Sequence, residues 1–209
     1  DAVRAATGQR QVGFKSLVAN TCGHCNTAVG YESLQANTTG NYNTAVGRLA
    51  MYSNTTGAYN TAIGMHSLDA NTSGLANTAS GYGALGSTTS GHYNAALGFK
   101  SMLNNTTGEY NTAMGACALG STTTGMCNVA IGRTAGNANT TGTANIYIGT
   151  NANPTANNLD NVVAIGYDAE ASATNDFILG NSSHVLNIPS GKLKVGGSSG
   201  SNGQVLTTD

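Results

Sequence analysis

The 209-residue chain is 8% charged, with eight Lys/Arg against nine Asp/Glu and no run of either sign. A groove that tracks phosphates needs clustered cations, so nucleic acid is not an expected partner. No stretch approaches the roughly 20 consecutive apolar residues of a membrane-spanning helix, so no membrane insertion is expected. With 29 glycines, two prolines and no tryptophan, the chain is poor in straight-chain helix formers and rich in turn and strand residues. An all-β fold is predicted.

Residues 1–12, "DAVRAATGQRQV", read as a lead-in with no initiator Met and no signal-peptide pattern. A repeat then begins and fills 13–132. The pentapeptide "NTAVG" at 26–30 recurs as "NTAIG" at 60–64, "NAALG" at 94–98 and "NVAIG" at 128–132. Its closing glycines, Gly30, Gly47, Gly64, Gly81, Gly98, Gly115, Gly132, Gly149 and Gly166, stand 17 residues apart. A second series from Gly23 to Gly142 keeps the same period, and a third, from Leu17 to Leu119, carries only Leu or Met. The unit is N-T-A-(apolar)-G-x-x-(A/S)-L-x-x-N-T-T-G-x-(Y).

A period of 17 suits one coil of a parallel β-solenoid or β-roll, in which strands of successive coils stack about 4.8 Å apart and identical positions become ladders. Asn43 and Asn60 belong to a predicted side-chain amide ladder. Ala45 and Ala62 belong to a series that is alanine at every coil from Ala28 to Ala130, so a large side chain is expected to be excluded there. The next residue (Val29, Val46, Ile63) forms a second apolar ladder, and one of the two is free to point outward. The repeat glycines are expected where φ is positive or backbones approach closely. A coil this narrow has a thin core, so a homotrimer, intertwined or side by side, is the expected assembly.

The cysteines of "TCGHCN" at 21–26 form a C-x-x-C, but each replaces one residue of an ordinary coil. Cys22 takes the place of Thr39 and Thr56, and Cys25 that of Tyr42 and Tyr59. A thioredoxin-type site needs its first cysteine at a helix N-terminus, and nothing helical is predicted after Cys25. Decoration of the repeat is the favoured reading.

Residues 133–183 diverge. Gly136 breaks the Leu series, Tyr147 breaks the Ala series, Pro154 enters, and Gly166 and Gly180 stand 14 apart. Residues 184–209 alternate as a β stalk and pass into a Gly/Ser-rich linker, reading as a truncated end.

"VVAIGYDAEASATNDFILG" is similar to the head repeats of trimeric autotransporter adhesins, whose units build a trimeric left-handed parallel β-roll. The longer "NTAIG…L…NTTG" unit and "GKLKVGGSSGSNGQVLTTD" resemble bacteriophage tail fibres that end in a self-cleaving intramolecular chaperone. The resemblance spans roughly 13–206 and implies a non-enzymatic fibre segment on a virion surface. Such a segment spaces or presents a receptor-binding tip, with itself, other fibre or baseplate proteins and a cell-surface glycan as partners. The head of a bacterial surface adhesin is the alternative. A glycan-degrading tailspike and an ice-binding protein rank lower, the latter because adjacent threonines of "NTT" would face opposite sides of a strand.

Candidate sites weigh towards structure. His24 and His92 share a register but lie four coils apart, about 19 Å, too far to share a metal; His66 and His184 have no partner at ligand spacing. Glu32, Asp69 and Glu109 fall in different registers, so no catalytic pair can be named, and no cofactor is expected. The sequons at Asn37, Asn54, Asn105 and Asn139 read as repeat residues first. Two aromatic rows stand out. Phe14, Tyr31, Tyr82 and Phe99 follow the motif glycine, whereas Tyr42, Tyr59, Tyr93 and Tyr110 precede the motif asparagine. Packing between chains is the favoured role of both, with glycan contact as the other reading of the four tyrosines.

Overall fold

The structure, a computed structural model, describes residues 7–183. Those residues form an all-β parallel solenoid of about ten 17-residue coils. Strands β1 (Arg10–Val12), β2 (Thr27–Val29), β3 (Thr44–Val46), β4 (Thr61–Ile63) and β5 (Thr78–Ser80) pair in parallel and in chain order. The series continues through β6 (Ala95–Leu97), β7 (Thr112–Met114), β8 (Val129–Ile131) and β9 (Ile146–Ile148). A short β10 (Asn153–Pro154) pairs with β12 (Glu170–Ala171), while β11 (Val163–Ile165) and β13 (Phe177–Leu179) close the main sheet. The register is that of the repeat: Ala45 lies beside Ala62, and Val46 beside Ile63.

The main sheet begins before the first motif glycine and runs past residue 132. β1 lies inside the stretch taken as a lead-in, because its main chain pairs Arg10 with Thr27 without needing the motif. The sheet also crosses 132/133 unbroken, since β8 and β9 pair like the others. The stalk and linker expected at 184–209 lie outside the described residues, as does His184.

The strands of the main sheet are three residues long, and in β2–β9 and β11 alternation sends the middle residue inward. Ala28, Ala45 and Ala62 are fully buried against the Leu and Met ladder, whose members Leu34, Met51, Leu68 and Leu85 are buried as well. The outer residues of each strand, Thr and Val/Ile, face away from the core. Of the two apolar ladders in the sequence, alanine is therefore the inner one, because the leucines already fill the coil.

The rest of each coil is turn, and the turns stack as tightly as the strands. Leu34 N–H donates to the Ala50 carbonyl of the next coil (3.0 Å), and Leu49 N–H to the Tyr31 carbonyl of the preceding one (3.0 Å). To make these turns the leucine series adopts positive φ, as at Leu34 (50°) and Leu68 (49°), a region that costs about 1–2 kcal/mol for a residue with Cβ. Nothing in the side chains announces this. The "NTT" segment is also turn rather than strand: Thr38 and Thr39 both donate their N–H to the Thr55 carbonyl, at 2.9 and 3.1 Å. The threonine ladder of the strands comes instead from "NTA", at Thr27, Thr44 and Thr61.

Two asparagine ladders hold the coils together, of which the sequence identified one. Asn43 is buried; its Oδ1 accepts the Asn60 N–H at 3.0 Å, and its Nδ2 donates to the Gly57 carbonyl of the next coil at 2.8 Å. Asn60 repeats the pattern towards Asn77 and Gly74. The second ladder is the sequon series. Asn37, Asn54, Asn71, Asn105 and Asn139 are fully buried, and Asn54 Nδ2 donates both to Asn37 Oδ1 (2.7 Å) and to the Gly57 carbonyl (3.1 Å). These side chains close the turn that ends in glycine, as an Asx residue does, and are not surface acceptors for a glycan.

The motif glycines take φ between +127° at Gly149 and +138° at Gly30, and a Cβ on Gly64 would sit 2.5 Å from the Gly81 carbonyl oxygen. Glycine is thus required twice over, by conformation and by contact. At Gly40, which has no positive φ, contact alone decides, since a Cβ would meet the Gly57 oxygen at 2.3 Å.

Candidate binding face

The outer surface of the main sheet collects the side chains that the core does not use. Its eleven strands span about 48 Å at the usual spacing. One column is threonine, at Thr27, Thr44, Thr61, Thr78 and Thr112; the other is apolar. Ile63, Leu97 and Met114 are 47–49% exposed, and Val12 is 65% exposed. Among the strands of this sheet the apolar column is interrupted once, by Ser80 in β5.

Two further rows flank these columns. Before the strands run Tyr42, Tyr59, Tyr93 and Tyr110, each with φ between 57° and 61°. The left-handed turn lifts these rings clear of the coil: all four are more than half exposed. They pair by stacking, Tyr42 on Tyr59 at 5.1 Å and Tyr93 on Tyr110 at 5.0 Å between ring centres. Ala76 holds the register between the pairs. After the motif glycine runs the other row, where Phe14 stacks on Tyr31 (5.7 Å) and Tyr82 on Phe99 (5.4 Å). Arg48 lies 6.0 Å from the centre of the Tyr31 ring, a cation–π contact.

The remaining polar candidates are scattered. Cys22, Cys25 and Cys127 are exposed thiols, and Cys117 is half-buried. His92 Nδ1 accepts the Leu75 N–H at 2.9 Å, which leaves Nε2 to carry that ring's proton when it is neutral. The His24 main-chain N–H donates to Asn41 Oδ1 of the next coil (2.7 Å). His66, which has no His or Cys at ligand spacing, pairs with Asp69 at 2.7 Å. Lys15 and Glu32 of adjacent coils meet at 3.6 Å. Asp176 receives the N–H groups of Ser172 and Ala173 at 2.8 Å each, and these bonds hold its carboxyl below the usual range. Among the described residues no three His, Cys, Asp or Glu side chains gather at metal-binding distance, and no helix is long and apolar enough to cross a membrane.

No protein-family model matches the chain, and no curated protein matches it.

Proposed function

We propose that this chain is a non-enzymatic structural and adhesive segment of a trimeric fibre, one that spaces or presents a receptor-binding tip on a virion. The observation that carries the reading is the outer face of the sheet. With its flanking rows it measures about 48 Å by 15–20 Å, on the order of 700–1,000 Å². That matches the roughly 800 Å² per partner of a stable interface, and an apolar column and two aromatic rows run its length. The core behind it is one column of Ala and Leu/Met, so a second copy is the natural cover. The uniform stack of coils suits a stiff spacer.

The phage reading also rests on the resemblance of the long repeat unit to tail fibres. One observation favours the bacterial adhesin head as a second reading: the coil from Gly166 to Gly180 has 14 residues, as in the adhesin-like stretch, yet pairs Ile165 with Leu179 in register. Sedimentation of the whole chain tests the assembly, with three times the 20.9 kDa chain mass expected. A well-folded single chain at micromolar concentration would overturn the fibre reading. Anchor or signal sequence in the complete gene would move the proposal from virion to bacterial surface.

A further inference from the structure

From the two flanking rows we infer that copies of this chain associate in register, with the pre-strand tyrosine row of one copy interlocking with the post-glycine row of the next. The inference rests on the self-association proposed above and specifies which residues meet. A rotation axis parallel to the stacking direction keeps every copy's coils at the same height. It also sets the margin before the strands of one copy against the margin after the strands of its neighbour. An antiparallel dimer would instead reverse the order of the coils and set unlike coils side by side.

The two margins complement each other coil by coil. At β3 and β4 the tyrosine row carries Tyr42 and Tyr59, and the other margin offers the pliable Arg48 and Met65, which suit cation–π and sulfur–aromatic contacts. At β7, Tyr110 is matched by Ala116. At β2 the sizes reverse, Cys25 against Tyr31, and again at β5, Ala76 against Tyr82. Only β6 carries a ring on both margins, Tyr93 and Phe99, so these two must lie side by side. Five residues, three of them the strand, separate the two rows within each coil, and each stacks only along its own row.

The site with the clearest fit is the gap over Ala76. Tyr59 and Tyr93 are two coils apart, about 9.6 Å, so one ring placed between them would have neighbours about 4.8 Å away on each side. That nearly reproduces the 5.0 and 5.1 Å of the stacked pairs. Tyr82 of a neighbouring copy, 40% exposed, supplies this ring at the same height, exchanging its stack on Phe99 of its own chain for one on Tyr59 and Tyr93, and completes a column of five.

The test is a swap in the whole chain, read by sedimentation across a concentration series with far-UV circular dichroism as the check on folding. Ala76→Tyr has the backbone it needs: φ is 54° at Ala76 and 57–61° at the four tyrosines. It fills the gap from within the chain, so it should leave the fold intact while weakening association at least tenfold. Tyr82→Ala should weaken association in the same assay. The double variant gives β5 the Tyr and Ala arrangement of β7 and should recover most of the wild-type affinity. Assembly of Ala76→Tyr as tight as wild type, or a double variant no better than either single one, would overturn the row pairing while leaving self-association standing. A wild-type chain that sediments as a monomer would overturn both.

Discussion

Coils β2–β8 and the coils from β9 onward share the main sheet, the latter through β9, β11 and β13, but are filled by different rules. In the first set each ladder keeps one kind of residue: alanine inside the strand and leucine or methionine facing it, both buried throughout β2–β8. In the second set ladders are broken in matched pairs. Tyr147 stands where Ala130 would repeat, yet it is completely buried, and its partner position holds Gly136 instead of leucine. A Cβ on Gly136 would lie 2.6 Å from Tyr147 Cδ2 and 2.8 Å from Leu119 Cδ2. A large side chain thus enters the alanine register only beyond Ala130, where the facing side chain is removed. Burial pushes the Tyr147 phenol above its ordinary value, with the Asp160 charge adding to the shift.

The turn opposite the strand changes too. The left-handed leucine position ends at Gly136, and one coil later the chain forms β10, which pairs with β12. Pro154 is tolerated in β10 because the inter-coil bonds on either side come from the N–H groups of Asn153 and Thr155, at 2.9 and 2.8 Å. What the two regions share is main-chain stacking and the motif glycine; what they vary is how a fixed volume is divided.

The harshest way to break the regular region is therefore Gly64→Ala. Its Cβ would meet Gly81 oxygen and carbon at 2.5 and 2.7 Å with φ at +133°, and the backbone of the next coil cannot yield without losing its own ladder. A loss on the order of 4 kcal/mol or more per chain is expected, seen as collapse of the thermal transition. Gly83→Ala is the control. There the nearest atoms are side-chain carbons at 3.5 and 3.6 Å, and Lys100 and Cys117 occupy the same register with φ of 52° and 57°, so only the left-handed backbone at φ +63° should count, about 1–2 kcal/mol. Equal shifts for the two variants would contradict the distinction between a required glycine and an incidental one.

Next in size is the matched pair. Tyr147→Ala should cost about 3–5 kcal/mol through the cavity it opens. Gly136→Leu alone should also destabilise, by overpacking. Together they restore the Ala–Leu pair of β8, where Ala130 and Leu119 are both buried, and most of the loss should return. Ala62→Leu makes the opposite intrusion in the regular region, where Met51 leaves no room, at about 1–3 kcal/mol per chain. Thermal unfolding of the four variants measures the coupling. Additive losses for Tyr147 and Gly136 would mean that the two sites relax independently.

Much of this was legible from identity at a constant period. The strand register, the alanine and leucine ladders and the first asparagine ladder follow from residues that recur every 17 positions. The side of the strand facing inward was left open, because Thr-Ala-Val offers small and large apolar residues on opposite faces and only the volume already taken by leucine decides. The second asparagine ladder was hidden by its likeness to a surface sequon. The left-handed turns at Leu34 and Tyr42 were illegible since no glycine marks them; inter-coil hydrogen bonds impose them. For the binding face, the aromatic rows were visible as series, but their stacking in pairs around Ala76 needed coordinates.

The smallest expected effect belongs to the cysteines of the regular region. Replacing Cys22 and Cys25 together by Ser should leave the thermal transition within about 0.5 kcal/mol, as for exposed positions generally. Both thiols are exposed. Cys22 stands in a register of Thr and Ser, and Cys25 in one that accepts tyrosine or alanine with the same left-handed backbone. The Cys25 main chain is fixed independently of its side chain, by its N–H donating to the Thr7 carbonyl at 2.8 Å. Within one chain Cys25 and Cys127 share a register six coils apart, about 29 Å, beyond any disulfide. On the row pairing inferred above, Cys25 should face Tyr31 of a neighbouring copy rather than another Cys25. Non-reducing electrophoresis of fully denatured protein should accordingly show single chains. Covalent dimers or trimers that vanish on reduction, and that the double variant abolishes, would bring equivalent cysteines of different copies together and so contradict the pairing of unlike rows.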